Sequence, residues 1–420
     1  MKFNKWTLGL AAVGAVSLTS AARADDVTNS VMTAVASTTI SGYVDTSINW
    51  TPGTGNSFVP AYAYNSSSKA DGFNLDSVRV TLAKAEDETE WASGYQVDIF
   101  GGPDAGILGT TGGGSGFGIA QAFVTLRTPI GTGIDWKLGI WDTIIGYEST
   151  ETPNDPNFTR SYGYTIEPTS HTGLNGTYKI TDSASVTLGI ANTSQPAFVN
   201  NRANPPFAES YKTYMGALSL TAPTNWGSLS GSSAYVGFIN GFDGNAGVNE
   251  TSQNLYIGST INTPMSELKV GASYDYFYSR QGYLAANFGA PLTDHLQSWA
   301  NAIDFYTTYQ ATDKLSFNSR AEYFWQSNLT GPVGAGGAGG ANKIFAITET
   351  IEYDLWKNVM SRIELRWDHQ AGAPEGGITT GNYNGVFGGY AQTGAGAPAN
   401  GTAGAKHNDY QVIANIIYKF

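Results

Sequence analysis

No cysteine occurs among the 420 residues, so no disulfide holds this fold and no thiol chemistry is open to it. Long apolar runs are missing too. No window approaches the roughly 20 residues that a membrane-spanning helix requires. Charge is sparse, at 13% of residues, and it leans acidic, with 34 Asp and Glu against 22 Lys and Arg. A formal net charge of −12 argues against a nucleic-acid binder and against a polybasic membrane-surface protein. Histidine is down to His171, His295, His369 and His407, with no Cys/His spacing suited to zinc. The glycine-rich stretches G-G-P-D-A-G and G-T-T-G-G-G-S-G open no helix that would cradle a phosphate, so no cofactor is expected. Ser170-His171 beside Glu167 comes nearest to a hydrolase group. Neighbours on a strand point to opposite faces, so this pair reads as a strand start and not as a catalytic dyad.

What the chain does hold is 52 glycines, 24 tyrosines, 10 tryptophans and two telling ends. Lys2 and Lys5 precede the short apolar run T-L-G-L-A-A-V-G-A-V-S-L, and Ala22-Arg23-Ala24 supplies small residues at the cleavage positions. That pattern predicts an export signal over 1–24, and losing Lys2, Lys5 and Arg23 with it takes the net charge from −12 to −15. At the other end, Y-Q-V-I-A-N-I-I-Y-K-F places Tyr410, Val412, Ala414, Ile416, Tyr418 and Phe420 on one face. Lys419, Asn415 and Gln411 share the opposite face with the exceptions Ile417 and Ile413. A terminal Phe on such a strand resembles the closing strand of bacterial outer-membrane barrels. The resemblance makes Phe420, Tyr418 and Ile416 the expected signal for the barrel-assembly machinery.

The same two-residue period recurs along the chain. F-N-L-D-S-V-R-V-T-L sets Val78, Val80 and Leu82 against Arg79 and Thr81. Ile363, Leu365 and Trp367 alternate with Arg362, Glu364, Arg366 and Asp368. Four charges on one face suit the wet wall of a channel and not a dry sandwich core. Strands that cross hydrocarbon must close on themselves to satisfy their backbone. The expected fold is therefore all-β, a transmembrane antiparallel up-and-down barrel of about sixteen strands, with fourteen to eighteen allowed. Strands are predicted to begin near Thr39, Phe73, Trp91, Gly118, Gly133, His171, Ala184 and Ser210, then near Leu229, Thr251, Ser266, Ser298, Asp313, Ala341, Lys357 and Ala405. Their connections alternate between short links such as T-D-S and long Gly, Asn and Pro-rich ones such as G-P-V-G-A-G-G-A-G-G. Short periplasmic turns and long outside loops are the asymmetry of such barrels. The domains read as the leader 1–24, a periplasmic segment 25–38 and one barrel over 39–420. Trp91, Trp136, Trp226 and Trp356 are expected in one interfacial belt, and Trp50, Trp141, Trp299, Trp325 and Trp367 in the other.

One stretch alternates nothing. From Tyr147 the chain reads Y-E-S-T-E-T-P-N-D-P-N-F-T-R-S-Y-G-Y-T-I-E-P-T-S-H-T-G, within the third long connection at 142–170. Pro153, Pro156 and Pro168 restrict its backbone, and it carries Glu148, Glu151, Asp155, Arg160 and Glu167. With G-F-N-L-D-S-V-R-V-T-L, W-A-S-G-Y-Q-V-D-I-F-G-G-P-D-A and D-T-I-I-G-Y-E before it, this block resembles the putative β-barrel porin-2 family, also called OmpL-like. The N-D-P-N here departs from a simpler Asn-Pro-Asn.

The resemblance implies an outer-membrane pore, and no enzyme, for passive diffusion of small hydrophilic solutes. In sixteen-stranded porins the third loop folds into the lumen. Glu148, Glu151, Asp155, Arg160 and Glu167 then form the expected constriction, facing Arg79, Arg127, Arg320, Arg362, Glu364 and Arg366 on the wall. Expected partners are the outer-membrane bilayer with its lipopolysaccharide, the small solutes and, by analogy, two further copies in a homotrimer. The competing readings are a plugged structural or adhesion barrel and an outer-membrane hydrolase.

Overall fold

In a computed structural model, sixteen antiparallel strands close into one barrel, each paired with its neighbours in sequence order and β1 paired with β16. The structure describes residues 37–53, 59–108, 110, 116–195, 199–203, 209–242, 251–279, 297–327, 332–333, 342–372, 387 and 406–420. The export signal over 1–24, most of the segment 25–38, the glycine-rich 334–340 and most of 373–405 lie outside these residues.

The first eight strands are β1 (Thr39–Trp50), β2 (Gly72–Lys84), β3 (Ser93–Gly101), β4 (Phe117–Thr128), β5 (Ile134–Asp142), β6 (Ser170–Thr181), β7 (Ala184–Ala191) and β8 (Thr213–Thr221). The second eight are β9 (Ser233–Phe242), β10 (Thr251–Asn262), β11 (Leu268–Ser279), β12 (Ser298–Gln310), β13 (Leu315–Gln326), β14 (Lys343–Trp356), β15 (Val359–Gln370) and β16 (Asn408–Lys419). The expected strand count holds. The seam runs from Tyr43↔Lys419 to Trp50↔Val412, and Gly42 and Phe420 exchange reciprocal backbone hydrogen bonds of 3.0 Å at its end. Among the described residues no sheet edge is left open, which is what hydrocarbon demands.

Two expected strand starts shift for local reasons. Trp91 takes a positive φ of 62° and ends the β2–β3 turn, so β3 starts at Ser93. The ninth strand starts at Ser233 and not near Leu229, because Thr224–Leu229 forms a 3-10 turn kinked at Gly227.

The side-chain period decides which face meets what. On β15, Ile363 and Leu365 are 57% and 53% exposed on the outward face. Their neighbours Arg362, Glu364, Arg366 and Asp368 point inward, and none is more than 2% exposed. These four charges therefore sit under other protein and not on a wet wall. Ile413 and Ile417 also point inward. Ile417 packs with Tyr43, Met360, Phe100, Ala105 and Leu108, since the second loop covers the wall there. Trp141 departs from the expected belt: it turns inward, 2% exposed, into a cluster with Phe123, Ile144, Ile145 and Met215. Trp50, Trp91, Trp226 and Trp356 stay outward and exposed.

Candidate functional site: the third loop and the inner wall

The segment between β5 and β6 is built by its own sequence before it touches anything. Pro153 starts a 3-10 turn over Thr152–Asn154, where its missing N–H costs no hydrogen bond. Ser161 caps a one-and-a-half-turn helix, α1 (Tyr162–Ile166), by accepting from the Tyr164 N–H at 3.0 Å. Glu167 ends it in an extended conformation, ψ 154°, as a residue preceding proline does.

A segment with so little regular structure has backbone groups to satisfy, and inward side chains of β13, β14 and β15 satisfy them. Arg362 Nη2 donates to the carbonyls of Thr152 and Asp155 at 2.9 and 2.8 Å. Arg320 Nη1 donates to Thr159 O at 2.6 Å, and Arg366 Nη1 to Arg160 O at 2.8 Å. The carboxylates take the amides: Glu364 accepts from Phe158 and Thr159 at 2.6 and 3.0 Å, and Glu322 from Tyr162 at 2.8 Å. Asn157 Nδ2 reaches Thr350 Oγ1 at 2.7 Å, and the Tyr162 hydroxyl donates to Asp368 at 2.9 Å. Leaving any one such group buried and unpaired costs about 1–3 kcal/mol.

The expected constriction residues fall into distinct places along this path. Glu148 pairs with Arg320 at 2.8 Å and also accepts the Ser161 amide at 2.8 Å. Glu151 lies 3.1 Å from Arg79, which pairs with Asp98 as well. Arg160 pairs within its own loop, 2.9 Å from Asp155, and lies near the rings of Tyr164 and of Tyr64 from the first loop. Burial pushes the Asp155 carboxyl up to about 7 against the pull of Arg160. Glu167 closes the loop against β11. Burial, with the facing carboxyl of Asp275 next in weight, holds its pKa well above the usual carboxylate range. Arg127 stands apart from all of these. It pairs with Asp135 and with Thr132 O at the short-turn end of β4–β5, because its position in the strand puts it at the rim and out of reach of the loop.

Glycines complete the fit. Gly146 has φ 121°, and a Cβ there would run into the Glu167 carboxyl. A Cβ on Gly163 would meet the carboxyl oxygens of both Asp304 and Asp275. The glycines of G-Y-E and S-Y-G-Y are thus sites where carboxyls approach loop backbone, Glu167 at the first and Asp275 with Asp304 at the second.

Sequence reasoning missed two other loops. Residues 59–69 of the first loop lie on the third: the Tyr62 ring covers Arg366 at 3.8 Å, and Tyr64 and Tyr164 share a hydroxyl–hydroxyl contact of 2.7 Å. Tyr62, Tyr162, Ile166, Ala300, Ala302 and Phe324 form an apolar cluster inside the barrel. Lys69 bridges Asp76 at 2.8 Å and Asp104 of the second loop, whose carboxyl burial lifts to about 6. The three loops enclose a cavity of about 20 Å³ beside Lys69, Asp104 and Arg160, large enough for one water. The available signal was the tyrosine-rich A-Y-A-Y-N at 61–65, an odd composition for an outside loop.

Below the third loop the lumen widens toward the short-turn end into a cavity of about 1320 Å³, bounded by β4–β11 and roofed by Ile144, Tyr147 and Pro156. His171, at the start of β6, faces Thr143 Oγ1 at 3.1 Å and Thr193 O at 3.5 Å. The Ser170 hydroxyl has no partner in the structure, so nothing joins the two as a nucleophile and base. At the seam, Ile416, Tyr418 and Phe420 are 49–50% exposed on the outward face.

No curated protein matches the chain. Solved structures that match its fold include the anion-selective porin from Comamonas acidovorans, at 13% identity and TM-score 0.55, covering 91% of this chain and 99% of that one. The outer membrane channel DcaP of Acinetobacter baumannii matches at 12% identity and TM-score 0.56, with 91% and 97% covered. The OmpF of Salmonella typhi, solved in complex with daunomycin, matches at 14% identity and TM-score 0.56, again with 91% and 97% covered. At these identities the likeness concerns the fold alone. The profile of the family described as putative β-barrel porin-2, OmpL-like, matches residues 37–407. With a closed sixteen-stranded barrel, a lumen lined by polar side chains and that family match, the chain belongs to the putative β-barrel porin-2 (OmpL-like) family and is an outer-membrane porin.

Proposed function

We propose that this porin passes small hydrophilic solutes by passive diffusion, and that the third loop sets the bore. The observation that carries the reading is the hydrogen bonding of loop backbone to inward side chains of β13–β15, which ties residues 152–162 across the lumen. A segment anchored so reduces the cross-section that a sixteen-stranded barrel otherwise leaves to water. Glu148, Glu151, Asp155, Arg160 and Glu167 are its charged members. Arg79, Arg320, Arg362, Glu364 and Arg366 act as its moorings, and Arg127 as part of the short-turn rim.

Around this core reading stand its companions. Residues 1–24 direct export and are removed, and the segment 25–38 lies in the periplasm. Phe420, Tyr418 and Ile416 present the closing strand to the barrel-assembly machinery, and lipopolysaccharide contacts the outer leaflet face. A homotrimer is the assembly proposed, as one neighbour of similar fold, OmpT of Vibrio cholerae, was solved in a trimer form. No hydrolytic role is assigned.

A plugged surface barrel is the second reading, favoured by the apolar cluster of first- and third-loop residues inside the lumen. Purified protein in a planar lipid bilayer separates the two. Stable conductance steps support the pore, and a silent, correctly folded barrel overturns it. Deleting 148–167 is expected to raise the conductance of each step, whereas an unchanged step would move the constriction elsewhere.

A further inference from the structure

The inner wall is divided by charge. On β12–β16 the inward positions carry Asp304, Arg320, Glu322, Arg362, Glu364, Arg366 and Asp368, and the third loop buries them. The inward positions of β6–β10 are a different surface. Between His171, buried at the outer end, and Lys179, paired with Asp182 at 3.0 Å at the short-turn end, they carry hydroxyls, amides, glycines and a few apolar groups. This neutral wall bounds the wide cavity under the third loop.

Register turns its hydroxyls into rows. Ser185 pairs with Ser219, and Ser219 with Tyr235. One step nearer the short turns, Thr221 pairs with Ser233, and Ser233 with Thr260. One step farther in, Thr177 pairs with Thr187, and their hydroxyls lie 2.8 Å apart. Tyr235 donates to Ile144 O, Thr260 to Tyr147, and Thr177 and Thr187 bond each other. The opposed pairs Ser185–Ser219 and Thr221–Ser233 stand about 4.5–5.5 Å apart and offer hydroxyls at a spacing comparable with one sugar ring. Each serine or threonine hydroxyl is both donor and acceptor and rotates to suit its partner.

Charge returns on the facing bank and at the short turns, where Glu86, Asp87, Arg127, Asp135, Lys137 and Asp142 line the same cavity. Arg127 is paired with Asp135, and the Lys137 ammonium lies over the Phe123 ring at 5.0 Å. Beyond Lys179, which opposes Ser185 across the β6–β7 pair, an ion moving along the β7–β10 wall trades water for neutral dipoles with no charged side chain on the wall itself, which is unfavourable. A neutral polyhydroxylated solute exchanges hydrogen bonds to water for hydrogen bonds to the wall at little net cost.

We propose that the periplasmic half of the path selects uncharged, polyhydroxylated solutes of about monosaccharide size, which move along the hydroxyl rows of β6–β10. The proposal rests on the pore reading above and goes beyond it by naming a solute class. The test is flux of radiolabelled glucose, gluconate and glucosamine into proteoliposomes that hold the full-length protein. Bilayer conductance is measured on the same preparation.

Glucose is expected to enter several-fold faster than either charged analogue. Ser219→Asp with Ser233→Asp is expected to abolish that preference, and Ser219→Ala with Ser233→Ala to weaken it, with conductance retained in both as the sign of a folded pore. Conducting protein that passes the three solutes equally, or the charged ones faster, overturns the solute class alone. A preference unchanged in conducting variants overturns the role of the rows. Absence of both conductance and flux in the wild type overturns the pore reading itself.

Discussion

Arg320 on β13 and Glu148 in the third loop, 172 residues apart in sequence, meet at 2.8 Å with neither side chain more than 1% exposed. The guanidinium also holds Glu322 at 2.7 Å and the Thr159 carbonyl at 2.6 Å, so one side chain joins wall, carboxylate and loop backbone.

Removing only one partner of that pair leaves the other charge buried and unmatched. Arg320→Ala is expected to destabilise the barrel by about 3–5 kcal/mol, read as a lower urea midpoint for folding into detergent or lipid vesicles. Arg320→Met combined with Glu148→Gln is expected to cost less than the single change, because no lone charge remains. Equal costs for the two proteins would mean that the ion pair itself is unimportant to the loop.

Gly163 sits where Asp275 and Asp304 approach α1. Gly163→Ala is expected to displace the helix, at a cost of about 1–3 kcal/mol for overpacking a buried site. Limited proteolysis within 150–168 reads the loosening directly. Unaltered protection would show that the acids yield space freely.

Glu167 faces the carboxyls of Asp275, Glu148 and Asp304. Its pKa in the fold lies above its ordinary value, so the neutral form is favoured by packing. The stability it contributes is full below the ordinary carboxylate pKa and is lost as pH rises through the raised one. The amides at the junction of α1 with β11 are therefore expected to show lower protection factors, each taken against the intrinsic exchange rate at that pH, in mildly alkaline than in mildly acidic buffer. Glu167→Gln is expected to remove that dependence. A pH dependence that persists in Glu167→Gln would assign the titration to another group.

Glu349 is an outward, exposed residue in the middle of β14, in register with Ser319 of β13 and Thr307 of β12, and it accepts the Ser319 hydroxyl at 2.5 Å. Charge at this depth on a lipid-facing wall is destabilising, by less for Glu than the ~2–4 kcal/mol found for Arg or Lys. Glu349→Leu is expected to raise the urea midpoint in lipid vesicles. A lower midpoint would show that the hydrogen bond from Ser319 outweighs the cost of the carboxylate in the membrane.

How far the sequence reached can be seen residue by residue. The alternation of Ile363, Leu365 and Trp367 with Arg362, Glu364, Arg366 and Asp368 shows which face of β15 turns inward, since the strand period is two. It does not show that those charges are buried, since what buries them is backbone from a loop some 200 residues earlier. Trp141 departs from its expected belt for a related reason. A tryptophan near a strand end suits either a lipid interface or a core, and only the neighbours Ile144, Ile145 and Met215 decide between them.

A closed barrel of about sixteen strands, the short-turn end and the family block at 147–173 follow from the sequence alone, because each depends on local period, turn chemistry or an uninterrupted motif. The tertiary structure alone decided that the first and second loops pack onto the third, that Arg127 stays at the rim, that Glu167 meets Asp275, and that β7–β10 keep a neutral wall beside the open cavity. Strands are specified by repetition along the chain. An irregular loop is placed by whichever distant groups satisfy its backbone and charges, and that matching exists only once the barrel has closed.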